Sequence, residues 1–405
     1  MIRIAVAAAA LLLAASGSAS AATTSLGRSG TVLLDGRPIF PIVLSKGPPA
    51  DGLAEVAAAG VNFVRAGPTD TWTDAAIAET IAENRAAAAV GLHTWVNLSS
   101  LSAATPWSWE EARLRQVIGS LEADPSGSAI GMWKGADEPW RYLVPESWLR
   151  FSYCLGSGRA PKSWCAGRPP LDTDHLWVTV EAPRGGIPRL ARYSTVTDVH
   201  GINRYPIAIG DPDPDLRDVG VWTNRLAWAT PNRAVWTTVQ ICWTWSYDAL
   251  GNFTLPTLEQ ERFMVYSAIV NGARALAFYG GNNPKCWGPF DAVGGWNWTF
   301  WERVLEPLVR ELGALTPALV RPRSTRWLPT SDPMTQAISR RGRDRELWVI
   351  AARSGEETED VTIGGLPAWA RSADVFSEGR AVEAAGGVLT DRFDRWGVHV
   401  YRFTR

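Results

Sequence analysis

Net charge is the first thing this chain lacks. Its 40 Lys and Arg are matched by 41 Asp and Glu, and no basic run breaks the balance. Nucleic-acid binders need a basic face, so nucleic acid is not an expected partner. Metal-binding texture is also missing. There are 4 His and 4 Cys, with no Cys-x-x-Cys and no His-x-x-x-His spacing. No metal site is expected, and no motif implies a cofactor. Long hydrophobic runs are absent too. The longest, Ile4 to Ala15, is about a dozen residues, against the ~20 that cross a bilayer. It follows Arg3 and precedes Ala19-Ser20-Ala21, a small-x-small cleavage pattern, so residues 1–21 read as a secretory signal. The mature chain is expected to start near Ala22, outside the cytoplasm, with no membrane insertion after signal removal. Disulfides are permitted there. Cys154 and Cys165 bracket a short loop rich in Gly and Pro and are expected to pair, as are Cys242 and Cys286.

What is in excess is tryptophan, with 22 residues. Many fall near strand ends or in loops, among them Trp95, Trp107, Trp109, Trp133, Trp140, Trp243, Trp245, Trp287, Trp296 and Trp298. A pyranose presents a flat C–H face and a rim of hydroxyls. An indole covers the first while polar groups bond the second, so a carbohydrate is the expected partner.

From Gly30 to Phe40 the pattern reads as a hairpin turning at Asp35-Gly36. Short apolar runs then alternate with helical stretches. The strands expected are Phe40–Leu44, Val61–Arg65, Leu92–Asn97, Ile130–Lys134, Leu176–Glu181, Val196–Ile202, Ala234–Gln240 and Ala275–Tyr279. None alternates cleanly, as expected for strands covered on both faces. Strand–helix repetition on this scale predicts a (β/α)8 barrel over residues 22–316. A doubly wound sheet would want a glycine fingerprint after the first strand, and Lys46-Gly47-Pro48-Pro49 is not one, because Pro removes backbone donors. Residues 317–405 change to short strands between Gly, Asp and Ser turns, which predicts a β-sandwich domain.

Barrel chemistry sits at the carboxyl ends of the strands. The most informative end is Trp133-Lys134-Gly135-Ala136-Asp137-Glu138-Pro139-Trp140. Two adjacent carboxylates lie there among aromatic neighbours. Ion pairs to Lys134 or Arg141 are the structural alternative to a catalytic role. Cleaving a glycosidic bond needs a protonated carboxyl beside the leaving oxygen, and an apolar, Trp-lined setting favours that form. Glu181 ends strand five and Asp198 lies in strand six; either is a candidate second carboxylate. Arg65, Asn97, His200, Asn203, Tyr205, Gln240, Trp243, Trp245 and Tyr279, with Asp137 and Trp140, are candidate sugar-binding residues by their position at or beyond strand ends.

Three stretches carry a resemblance: Asp35 to Ile42 at strand one, Ala59 to Arg65 at strand two, and Trp133 to Pro139 at strand four. In layout these resemble the clan A retaining glycoside hydrolases, the β-galactosidase-like and cellulase-like barrels. The resemblance implies an acid/base role for Glu138, which in that clan usually follows Asn and here follows Asp137. The clan's second Glu, its nucleophile, belongs at the end of strand seven, where this chain has Gln240. An amide cannot form a glycosyl-enzyme ester. The expectations are therefore a secreted glycosidase, either retaining with a substitute nucleophile or inverting with Glu181 or Asp198 as base, or else a non-catalytic carbohydrate-binding barrel.

Overall fold

The computed structural model describes residues 22–207, 213–231, 233–242, 255–324, 326–342 and 346–405. Residues 1–21, read above as a secretory signal, lie outside them, as do Trp243 and Trp245.

Eight parallel strands close into a barrel. In chain order they are Ile42–Leu44, Phe63–Ala66, His93–Asn97, Ile130–Asp137, Leu176–Glu181, Val199–Asn203, Ala234–Gln240 and Ala275–Tyr279, and the eighth pairs with the first. Their apolar runs are explained by cover on both faces. Val43, Phe63, Trp95, Met132, Val178, Val199, Trp236 and Ala277 fill the lumen as one cluster. The outer faces pack on helices, of which Asp74–Ala89, Trp109–Ala123 and Leu258–Asn271 start where Thr73, Ser108 and Thr257 accept from a backbone N–H three residues on. The last barrel helix, Glu306–Leu319, runs through Pro317 and so passes the expected boundary at residue 316.

An antiparallel sheet of Thr24–Leu26, Val32–Leu34 and Arg37–Ile39 plugs the amino end of the lumen with Leu26, Val32 and Ile39. Asp35 and Gly36, at φ of 50° and 73°, make the expected tight turn. After the barrel come Thr335–Arg341, Leu347–Arg353, Glu359–Ile363, Ser372–Val375, Arg380–Ala385, Val388–Phe393 and Val398–Phe403, hydrogen-bonded as a seven-stranded antiparallel sheet. The hairpin of Arg380–Ala385 and Val388–Phe393 is not announced by its sequence. Ala and Glu dominate its first strand and are poor strand formers; Gly386 and Gly387, both at positive φ, supply the turn. Trp348, Ile350, Val398 and Val400 join the cluster of the barrel's outer helices, and Arg262 Nη1 donates to the Val398 carbonyl at 2.7 Å.

Cys154–Cys165 and Cys242–Cys286 are disulfides, with Cα atoms 5.2 and 6.2 Å apart. The second ties the segment after strand seven to the one after strand eight. Among the described residues no helix is long and apolar enough to cross a membrane.

Candidate active site

Strand four does not stay regular to its end. Its pairing with strand five slips between Lys134 and Asp137. Gly135 lies in the slip, where a Cβ would run into the Trp177 indole. Such an irregularity re-aims the residues that follow. Glu138 then takes a left-handed backbone, φ 48°, and its N–H donates to the Val180 carbonyl at 2.6 Å. A non-glycine residue held there stores about 1–3 kcal/mol of strain, and strain of this kind clusters at functional sites.

The slip places both carboxylates in an open cleft of about 520 Å³ at the carboxyl ends of the strands. Trp95, 2% exposed, borders the cleft floor, its ring tilted against Trp236 at 4.9 Å and 5.4 Å from Lys134 Nζ. Lys134 is buried and donates to Asp137 Oδ2 at 2.8 Å. Burial pushes the Lys134 ammonium pKa down, and the Asp137 charge opposes that fall. Arg141 Nη1 donates to Glu138 Oε2 at 2.8 Å, and Asn203 Nδ2 donates to Oε1 at 3.2 Å. Tyr205 and Tyr279 stack with centroids 5.5 Å apart. From the ends of strands one and two, Lys46 Nζ and Arg65 Nη2 both donate to Thr69 Oγ1, at 2.9 and 3.4 Å. Burial first, and the Arg65 charge second, bring the Lys46 pKa down to about 8. Among the described lining residues, Asp137 and Glu138 are the carboxylates.

A larger depression, of about 940 Å³, lies on the C-terminal sheet. Its described carboxylate, Glu346, accepts from Arg402 Nε at 2.9 Å. Among its described lining residues it offers neither an Asp/Glu pair nor the carboxyl end of a barrel strand, so size does not identify the reactive site.

Of the residues the sequence nominates, Arg65, Asp137, Glu138, Asn203, Tyr205 and Tyr279 meet in the cleft. The other described candidates do not, and for Glu181 and His200 the reason is alternation. Successive side chains of a strand point to opposite faces. Val178 and Val180 point into the barrel, so Glu181 points out toward the helices, 1% exposed. Burial raises its pKa well above the ordinary range and so favours the uncharged carboxyl. The Trp140 N–H lies near enough to temper that rise, without hydrogen-bond geometry. His200 also faces outward. Its Nε2 is 3.7 Å from Glu181 Oε1, too far for a hydrogen bond. Burial drops its pKa to about 3, so the two are an uncharged pair and not a salt bridge. Asp198 precedes strand six at the amino end of the barrel. It accepts from Tyr153 Oη at 2.7 Å and from the Trp177 N–H at 2.9 Å, and it pairs with Arg159 at 3.3 Å. Neither Glu181 nor Asp198 reaches the cleft, which removes both as the expected base.

Gln240 is also a correction. It is 0% exposed; its Oε1 accepts from the Ile207 N–H at 2.9 Å and its Nε2 donates to the Ile207 carbonyl at 2.8 Å. It clamps the segment after strand six and offers nothing to a sugar hydroxyl. Asn97 does the same for another loop, donating to the Pro68 carbonyl and accepting from Ser99 Oγ. Trp140 packs in the helical layer, with the Arg189 guanidinium 4.5 Å from its ring. Trp133 and Trp296 are fully buried and Trp107 is 90% exposed; among the described tryptophans Trp95, though 2% exposed, is the one that borders the cleft.

Sequence reasoning nominated Lys134 and Arg141 only as salt-bridge partners of the carboxylate pair, which they are, and they line the cleft as well. A Lys inside an apolar strand was the available signal. Lys46 and Thr69 gave none, because their contact depends on two loops meeting.

The fold is that of glycoside hydrolases. A solved structure described as a glycoside hydrolase matches with a TM-score of 0.59 at 14% identity, covering 94% of this chain and 96% of that one. A glycoside hydrolase family 5 structure from Bacteroides vulgatus gives 0.60 at 13%, with coverage of 94% and 93%. A GH30 endoxylanase from Clostridium papyrosolvens gives 0.53 at 11%, with coverage of 95% and 100%. No protein-family model and no curated protein matches the chain.

Proposed function

We propose that the protein is a secreted glycoside hydrolase that cleaves a poly- or oligosaccharide, with Glu138 as general acid. The observation that carries this reading is Glu138 itself, a strained carboxylate at the bulged end of strand four, beside Trp95 and the Tyr205–Tyr279 stack. The aromatic faces cover sugar C–H surfaces, and Asn203 and Asp137 bond hydroxyls. In the reaction Glu138 gives its proton to the glycosidic oxygen as the bond from that oxygen to the anomeric carbon breaks. Water supplies the hydroxyl that the anomeric carbon gains, and the water's second proton passes to a base. Asp137 is the remaining described carboxylate of the cleft and takes that role. We read the C-terminal sheet as a folded-over sandwich, since residues from both of its halves, from Val349 to Phe393, share one apolar cluster.

A carbohydrate-binding barrel without turnover is the second reading. Gln240 favours it, because its amide is held by the Ile207 backbone and, among the described residues, the end of strand seven supplies no carboxylate nucleophile. The two readings separate in one experiment. Protein lacking residues 1–21 is screened for hydrolysis and for binding against a broad glycan panel. Turnover that falls in Asp137→Asn and Glu138→Gln supports the enzyme; binding without turnover supports the second reading.

A further inference from the structure

Among the described lining residues of the cleft four cations face two carboxylates, while Asp137, Glu83 and Asp70 act on Arg65, and Glu83 and Asp70 on Lys46, by charge alone, without an ion pair. Lys134 is matched by Asp137 and Arg141 by Glu138. Lys46 and Arg65 have no carboxylate within ion-pair distance among the described residues. Their partners are neutral: Thr69 Oγ1 for both, and the Pro68 carbonyl for Arg65 Nη2 at 3.2 Å. Glu83, behind them, accepts the Gly67 N–H at 2.7 Å and forms an ion pair with neither. Two cations thus converge on a single hydroxyl, in the same cleft as the strained Glu138. Like charges brought together out of water are costly unless an anion joins them. A neutral sugar needs hydroxyl-bonding groups and one aromatic face, and it gains little from an unmatched cationic pair.

We propose that the cleft takes a glycan bearing an anionic substituent, and that Lys46 and Arg65 hold that anion while Glu138 faces the scissile bond. This rests on the glycosidase reading and narrows it. The shared chemistry is an oxyanion on a sugar ring. A uronate carboxylate and a sulfate ester both supply one, and Arg and Lys bind either by charge-assisted hydrogen bonds.

The test uses the mature chain against three sets of polymers: neutral glycans, polyuronates and sulfated glycans. Hydrolysis and binding are measured at low and at raised salt. A preference for one anionic set is expected, and that set identifies the anion. Its binding should weaken with salt, since the contact is ionic and the cleft is open. Lys46→Met and Arg65→Met should each cut the anionic-to-neutral preference, by about tenfold to a hundredfold, the usual scale of a charge-assisted hydrogen bond. Arg65→Met also loses a bond to the Pro68 carbonyl and can unsettle that loop. The salt dependence of the unmodified protein and the Lys46 variant carry the test without it. Preference for neutral glycans, or a preference for anionic ones that neither salt nor Lys46→Met moves, overturns the proposal and leaves the glycosidase reading standing. No binding or cleavage of any set overturns both.

Discussion

Replacing Glu138 with Gln separates chemistry from architecture. The amide keeps the volume, can still accept from Asn203 Nδ2 or Arg141 Nη1, and leaves the left-handed backbone in place. The proton, the charge and one of the two acceptor oxygens are lost, so the amide NH2 meets one of the two donors. The pair with Arg141 is partly shielded, with side chains 13% and 24% exposed. Weakening it costs about 1–2 kcal/mol, because Gln still accepts from one of the two donors. Thermal unfolding should therefore move little. Turnover should move much more, because general acid catalysis is typically worth about 10²–10⁴ in rate. That corresponds to roughly 3–5 kcal/mol of barrier, above the stability change. The assay is kcat on an unactivated glycan beside kcat on an aryl glycoside whose leaving group departs without a proton. The first should fall by the full factor and the second by much less at the bond-breaking step. Equal losses on both substrates would mean that Glu138 positions the sugar and does not protonate it. Full activity in the variant would remove Glu138 from the mechanism.

Other outcomes follow from placement. Burial holds the folded pKa of Glu181 well above the ordinary value of 4.5, near which its unfolded counterpart ionises. Above that pH only the unfolded state releases the proton, so stability falls as pH rises, by about 1.4 kcal/mol per unit until the folded pKa is reached. Glu181→Gln should accordingly be more stable than the parent at about pH 7 and should converge with it near pH 4; a stability difference that is flat with pH in denaturant titrations refutes the buried neutral carboxyl. Gln240→Glu restores the residue type of a strand-seven nucleophile but sets a carboxylate against the Ile207 carbonyl. We expect no gain in turnover and a loss of about 1–3 kcal/mol by chemical denaturation; an active, equally stable variant contradicts the clamp. Asp198→Ala strips acceptors from Tyr153, the Trp177 N–H and Arg159. Stability should drop by about 3 kcal/mol or more while KM and kcat of the folded fraction hold, and a selective loss of kcat would return Asp198 to the chemistry.

Much of this protein is legible in its sequence. The eight strands follow from short apolar runs, because a strand buried on both faces must be apolar throughout. Glu138 stands out because Pro139 stops strand four beside it, at the end of the barrel where chemistry sits. The same apolar runs hide what matters next. In Leu176-Trp177-Val178-Thr179-Val180-Glu181 no polar alternation marks which residues point inward. The phase is set only when the strands close into a ring and Val180 turns to the lumen. That puts Glu181 and His200 outside, although both sit in the right stretches of chain. Gln240 and Asn97 were lost to a second cause. Each ends a strand, but a loop from elsewhere folds over it and claims its amide. Tertiary structure alone brings Lys46 from after strand one to Arg65 and Thr69 from after strand two. A charge imbalance between loops has no signature along the chain, because it exists only once the barrel sets their ends side by side.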